Sequence, residues 1–158
     1  MSSGFSLVTF VTTVLAGVCV FIIGQFILKF IFDPISQLKL EIADIAHKMV
    51  FYANRYSNPV VISKENIENE EMKADMIEVS MELRTSASRL SSKVQAVPFY
   101  NFFAFFRIVP KLYDLNKVQS NIIGLSNSLW IGKDHDYKIY EKIEERRNEI
   151  KHYLKIRL

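Results

Sequence analysis

The chain has 158 residues, a formal net charge of +3, five glycines, four prolines and one cysteine. That length suffices for one compact domain beyond an anchor, not two. A single cysteine excludes an intramolecular disulfide and suits a reducing compartment. The modest charge, with no helix-turn-helix or RNA-reading motif, argues against a duplex nucleic acid partner.

The first 28 residues carry no charged side chain. From Phe5 to Leu28 the chain reads FSLVTFVTTVLAGVCVFIIGQFIL. A bilayer core of about 30 Å needs about 20 apolar residues in a helix, so this run predicts a transmembrane helix. A cleaved signal peptide would want a basic residue ahead of a shorter apolar run, then a small-x-small site. No Lys or Arg precedes Lys29 and no Ala-x-Ala follows, so the expectation is an uncleaved anchor over residues 1–32. Lys29, Lys39, Lys48 and Arg55 all lie on its C-terminal side. Basic flanks stay in the cytoplasm, which predicts an outside N-terminus in a bacterial inner membrane. Thr9, Thr13, Gly17, Val20 and Gly24 fall on one face of the span. Small residues let helices approach closely in lipid, so this face is a candidate seam for a homo-oligomer.

Residues 33–158 predict an all-α bundle in the cytoplasm. Asp33 as N-cap and Pro34 at the first helical position predict the start of a second helix that continues the span with little break. Ile35, Leu38, Ile42, Ile45, Met49, Tyr52 and Tyr56 give its apolar seam. Asn58–Pro59 ends it, and Val60–Ile62 follows as a short extended piece. A third helix is expected from about Glu65 to Val94, with Met76, Val79, Leu83, Ala87, Leu90 and Val94 inward.

Next comes the aromatic run FYNFFAFFRIV, too short to cross a bilayer. It reads as a buried core helix beginning at Pro98 and ending at Pro110. The alternative is a helix docked on the membrane surface close to Lys29. Asp114 is the expected N-cap of a fourth helix with Leu115, Val118, Ile122, Leu125 and Leu129 as its stripe. Gly132 and Asp134 mark a turn. A last helix uses Ile139, Ile143, Ile150 and Leu154, its other face solvated by Glu, Lys and Arg.

No catalytic constellation is legible, so the expectation is a protein that is not an enzyme and carries neither cofactor nor metal. His47, His135 and His152 have no companion at metal-ligand spacing. There is no phosphate-cradling glycine loop and no nucleophile elbow. His135 between Asp134 and Asp136 reads as a solvated turn. Charge is unevenly spread: Lys64–Glu82 is net −5 and Arg84–Lys117 is net +5. The basic stretch supplies Arg84, Arg89, Lys93 and Arg107, and the fourth helix adds Ser126 and Asn127. Asn reads adenine edges, and Arg beside an aromatic holds a phosphate and stacks a base. These six residues are the candidate site for an anionic nucleotide.

The strings QFILKFIFDPI, FYAN, LRTSASRLSSKVQAVPFY and GLSNSL resemble small bacterial membrane proteins with one N-terminal span and a helical cytoplasmic domain. That resemblance implies the architecture and no catalytic residues. In layout the chain is similar to small membrane effectors of type III CRISPR defence, in which a cyclic oligoadenylate binds the cytoplasmic part and perturbs the membrane part. The resemblance implies a ligand-gated effector in phage or plasmid defence, its partners a bilayer, further copies of itself and a cyclic oligonucleotide. The competing expectation is an inner-membrane adaptor whose bundle docks another protein.

Overall fold

The computed structural model describes residues 6–132 and 137–155. Helix α1, Leu7–Ile27, contains no buried residue. It passes through a π-helical turn, Leu28–Phe32, directly into α2, Asp33–Phe51. Together they form one run of 45 residues, long and apolar enough near its start to cross a membrane. Asp33 does not cap a new helix: Phe32 and Asp33 are both helical, and no side chain caps this point. The physical reason for the wide turn is Pro34, which has no N–H to donate and whose ring would strike the carbonyl four residues back. Widening the preceding turn accommodates it, and the Asp33 N–H reaches back to Leu28 O.

Helix α2 buries Ile35, Leu38, Glu41, Ile45 and Met49. The short α3, Ala53–Ser57, follows, and the buried Tyr56 hydroxyl donates to Met49 O. Strand β1, Val60–Val61, pairs in parallel with β2, Trp130–Ile131. The long third helix expected from Glu65 is divided into α4, Lys64–Glu68, and α5, Glu70–Ala96. Asn69 leaves helical conformation between them, and its Oδ1 accepts from Met72 N at 3.0 Å. Ser63 caps α4 in the same way. Both are side-chain acceptors for the orphan amides of a helix start.

Helix α6 is Tyr100–Phe105, α7 is Leu112–Asn127 and α8 is Lys138–Leu154. Leu115, Val118, Ile122, Leu125 and Leu129 are all buried, as the helical spacing predicts. Asp114 does not cap α7: the helix begins at Leu112, and Asp114 sits in its first turn. There its carboxylate complements the positive end of the helix dipole.

Side-chain pairs fix the directions. Arg55 Nε meets Asp75 at 2.8 Å, Lys48 Nζ meets Glu82 at 2.8 Å, and Lys93 Nζ meets Gln37 Oε1 at 3.3 Å. Seven residues back from Arg55 of α3 to Lys48 of α2 match seven along α5 from Asp75 to Glu82. Eleven more to Gln37 match eleven to Lys93. Helix α5 thus runs antiparallel to α2, back toward the end from which α1 leaves. Helix α7 turns away again: its Leu112 end flanks Gln95, and its Asn127 end meets Arg84. Helix α8 returns, with Arg146 bonded to Gly124 O and Asn121 to Glu149. The result is an up-down-up-down arrangement of α2, α5, α7 and α8 around one apolar core.

The aromatic run departs from the buried helix expected of it. Phe99, Phe102, Phe105 and Phe106 are exposed, and only Tyr100, Phe103 and Ala104 pack partly on the core. Helix α6 begins at Tyr100 rather than Pro98, because Phe99 turns the chain in left-handed conformation, φ 48°.

Candidate ligand groove and basic cleft

The six candidate ligand residues do not converge. Residues 82, 86 and 93 of α5 meet α2, and Asp75 on the same side meets Arg55 of α3. At 100° per residue, Arg89 shares that side and Arg84 lies roughly half a turn away. Arg84 instead faces α7, where its Nη2 donates to Asn127 Oδ1 at 2.6 Å. Ser126 is buried, and its hydroxyl donates to Ile123 O at 2.8 Å. Arg107 sits beyond α6 in left-handed conformation, φ 58°. Of the six, the fold bonds Arg84 to Asn127, sets Arg89 and Lys93 on the opposite side of α5 near Glu41, and joins the two groups at no common site.

Below that pair runs an open groove of about 530 Å³ between α5 and α7. Arg84, Ser88, Ser91 and Gln95 line one wall, with Gln119 and Ile123 opposite. Serine hydroxyls and glutamine amides both donate and accept. The groove can therefore hold phosphate oxygens near Arg84 and base or sugar edges further along. The spacing i, i+4, i+7, i+11 from Arg84 to Gln95 is a one-face signal that attention to charge alone passes over.

A second cavity, about 550 Å³, opens beside the aromatic run. Lys39, Arg107, Lys111 and Lys155 surround it, with Asp114 the one acid, over an apolar floor that includes Ile42 and Ala104. Tyr100 latches this segment by donating to Pro110 O at 2.8 Å. Burial, with the Asp114 carboxylate adding to it, pushes the Tyr100 phenol up to about 12, so it stays a donor at any physiological pH.

A third polar feature lies inside the α2–α5 contact. Lys48 Nζ is shared among Glu82 at 2.8 Å, Asp44 at 3.1 Å and Ser86 Oγ at 2.9 Å. Burial works to lower the Lys48 pKa, but the bonds to Glu82 and Asp44 outweigh it and hold it above the usual value. Glu41, two turns from Lys48 on α2, is buried with one carboxylate oxygen unpartnered. Burial and then the Asp44 charge raise its pKa, against the opposing pull of Arg89, Lys48 and Lys93.

On α1, Thr13 and Thr12 return their hydroxyls to Thr9 O and Val8 O at 2.8 Å. A side chain at Gly17 or Gly24 would meet nothing within 4 Å, so that face is open. Among the described residues no group of three or more His, Cys, Asp or Glu is set to hold a metal. His47 stacks on Phe51, and His152 meets Tyr153 edge-on. Asp134, His135 and Asp136 lie outside the described residues. No family model, curated protein or solved structure matches the chain.

Proposed function

We propose that the protein is a single-span effector of a bacterial inner membrane, its helical domain in the cytoplasm. The domain receives an anionic signal nucleotide, such as a cyclic oligoadenylate, and answers by repacking the span. The observation that carries this reading is the uninterrupted helix from Leu7 to Phe51. Its first part, α1, buries no residue, and its second part, α2, is one wall of the bundle. A change in bundle packing then reaches the lipid without crossing a hinge. The cytoplasmic side follows from the basic flanks at Lys29, Lys39 and Lys48. The open face at Thr9, Thr13, Gly17 and Gly24 supplies a seam for self-association in lipid. The layout shared with type III CRISPR membrane effectors is what suggests a role in phage or plasmid defence.

The ligand's seat in this reading is the α5–α7 groove, with Arg84 as its cation and Asn127 holding the guanidinium in place. A ligand biases the span only through its difference in affinity for two packings. A tenfold difference corresponds to about 1.4 kcal/mol. The test is thermal unfolding of the full chain in detergent micelles with a panel of cyclic nucleotides and oligoadenylates. A ligand at 100 times its Kd stabilises by about 2.7 kcal/mol. The reading predicts a selective upward shift that Arg84→Glu removes. Arg84 is exposed, so its reversal leaves the core untouched. No shift with any ligand, in protein that unfolds cooperatively, overturns it.

One observation favours the adaptor reading instead. At the end far from α1, Ile62, Ile67, Ile77 and Trp130 line an apolar cleft with Lys73. The surrounding stretch Lys64–Glu82 is net −5. That combination fits a partner helix with apolar residues flanked by Lys and Arg. Under it, an unrelated span supports function equally well; under the effector reading it does not.

A further inference from the structure

The register between α2 and α5 determines where the exposed aromatic run lies. Gln37 meets Lys93 at 3.3 Å, and three more residues in the same register bring Ala96 level with Pro34. The chain therefore leaves α5 at the height where the apolar helix gives way to Asp33. Ile31, on the last turn before Asp33, already packs against the domain core. Helix α6 closes this end of the bundle. Its inner side, Tyr100, Phe103 and Ala104, packs on the core. Its other side exposes Phe99 by 78%, Phe102 by 59%, Phe105 by 80% and Phe106 by 56%.

Four exposed phenylalanines within eight residues have no partner in water that offsets their hydration. Their surroundings select one. Arg107 and Lys111 follow directly, and Lys39 comes in from α2 to the same cleft. By helical rise, Lys39 stands about 9 Å beyond Asp33, within reach of the headgroup layer for a long, flexible side chain. Apolar rings beneath a row of cations match an acyl boundary beneath anionic headgroups. We propose that this aromatic shelf inserts into the cytoplasmic interface of an anionic bilayer, seating the bundle flat on the membrane that α1 crosses. The inference rests on the reading of α1 as a membrane span, and it goes beyond an anchor: the domain is held at two points, so its tilt is restricted.

The test uses the full chain, whose native tryptophan, Trp130, lies at the far end of the bundle. In a Trp130→Phe background, Phe105→Trp and, separately, Phe30→Trp are reconstituted into vesicles of phosphatidylcholine and phosphatidylglycerol with brominated acyl chains. Phe105 is exposed and meets Phe106 edge-on rather than a core residue, so the larger ring does not disturb the core. The expected result is blue-shifted emission at 105, quenched by the brominated chains as strongly as at position 30, while Trp130 in the unsubstituted chain is unquenched. Quenching at 30 with none at 105 overturns the shelf. A blue shift at 105 without quenching also overturns it, because the ring is then covered by protein. No quenching at 30 overturns the spanning reading itself, and the shelf with it.

Discussion

Lys93 of α5 donates to Gln37 of α2 at 3.3 Å, one turn beyond the Asp33–Pro34 junction. This contact ties the C-terminal end of α5 to the part of α2 that continues the apolar helix. Together with Lys48–Glu82, and with Arg55–Asp75 from α3, it sets α2 and α3 antiparallel to α5 along its length. The apolar helix is therefore held by the bundle and does not trail from it.

Lys48 is the centre of that unit. Replacing it with Met leaves Glu82 and Asp44 facing each other without a cation and Ser86 without its partner. Both carboxylates are partly solvated, which limits the loss to about 1–2 kcal/mol, read as a lower midpoint in urea unfolding. The pH dependence has a definite sign. The folded pKa lies above the usual 10.5, so the stabilisation is full below 10.5. It is lost as pH rises through the folded value.

Glu41 has the opposite consequence. Its folded pKa is raised above 4.5, by burial first and by Asp44 second. The folded state then binds its proton more tightly than the unfolded chain does. Stability from this group is greatest below 4.5 and falls as pH rises through the folded pKa. Glu41→Gln therefore raises stability at neutral pH, on the order of 1 kcal/mol. The advantage disappears below pH 4.5, which paired urea titrations at the two pH values will show.

The same residue marks where sequence periodicity stops being informative. Ile35, Leu38, Ile45 and Met49 repeat helically and are all buried. Between them either Glu41 or Ile42 satisfies the spacing, and hydrophobicity selects Ile42. The structure buries Glu41 and leaves Ile42 half-covered, because α5 brings Arg89 and Lys93 to that side. The aromatic run misleads for a related reason: dense phenylalanine reads as core, and here Phe99, Phe102, Phe105 and Phe106 stay exposed. The break at Asn69 is one that apolar spacing passes over, although Ser63 and Asn69 are each a capping residue ahead of an acidic first turn. The split of the candidate ligand residues was not legible, because Arg84 and Arg89 lie about 140° apart around the helix and only the helix neighbours reveal which side each takes.

Gly124 illustrates a packing requirement of the α7–α8 contact. A Cβ built there would lie 2.5 Å from Arg146 Nε and 2.7 Å from its Cζ. Arg146 Nη1 uses this gap to reach Gly124 O at 3.0 Å and Ser128 Oγ at 2.8 Å. The last helix thus turns inward a charge that its pattern assigns to solvent. Gly124→Ala gains about 1 kcal/mol in helix propensity and displaces the guanidinium from two charge-assisted bonds of about 1.5–3 kcal/mol each. The expected outcome is a net loss of about 2–5 kcal/mol. Adding Arg146→Met to Gly124→Ala relieves the clash, so the double variant is more stable than the sum of the single effects implies.

The central claim is that span and bundle form one continuous helical element. Amide hydrogen exchange of the full chain in lipid nanodiscs tests it most directly, read across Ile27–Leu38. The account predicts slow exchange at every amide of that stretch through the wide turn, Pro34 having none. Fast exchange between Phe30 and Ile35, with protection on both sides, would mean a hinge at the membrane surface and would contradict it.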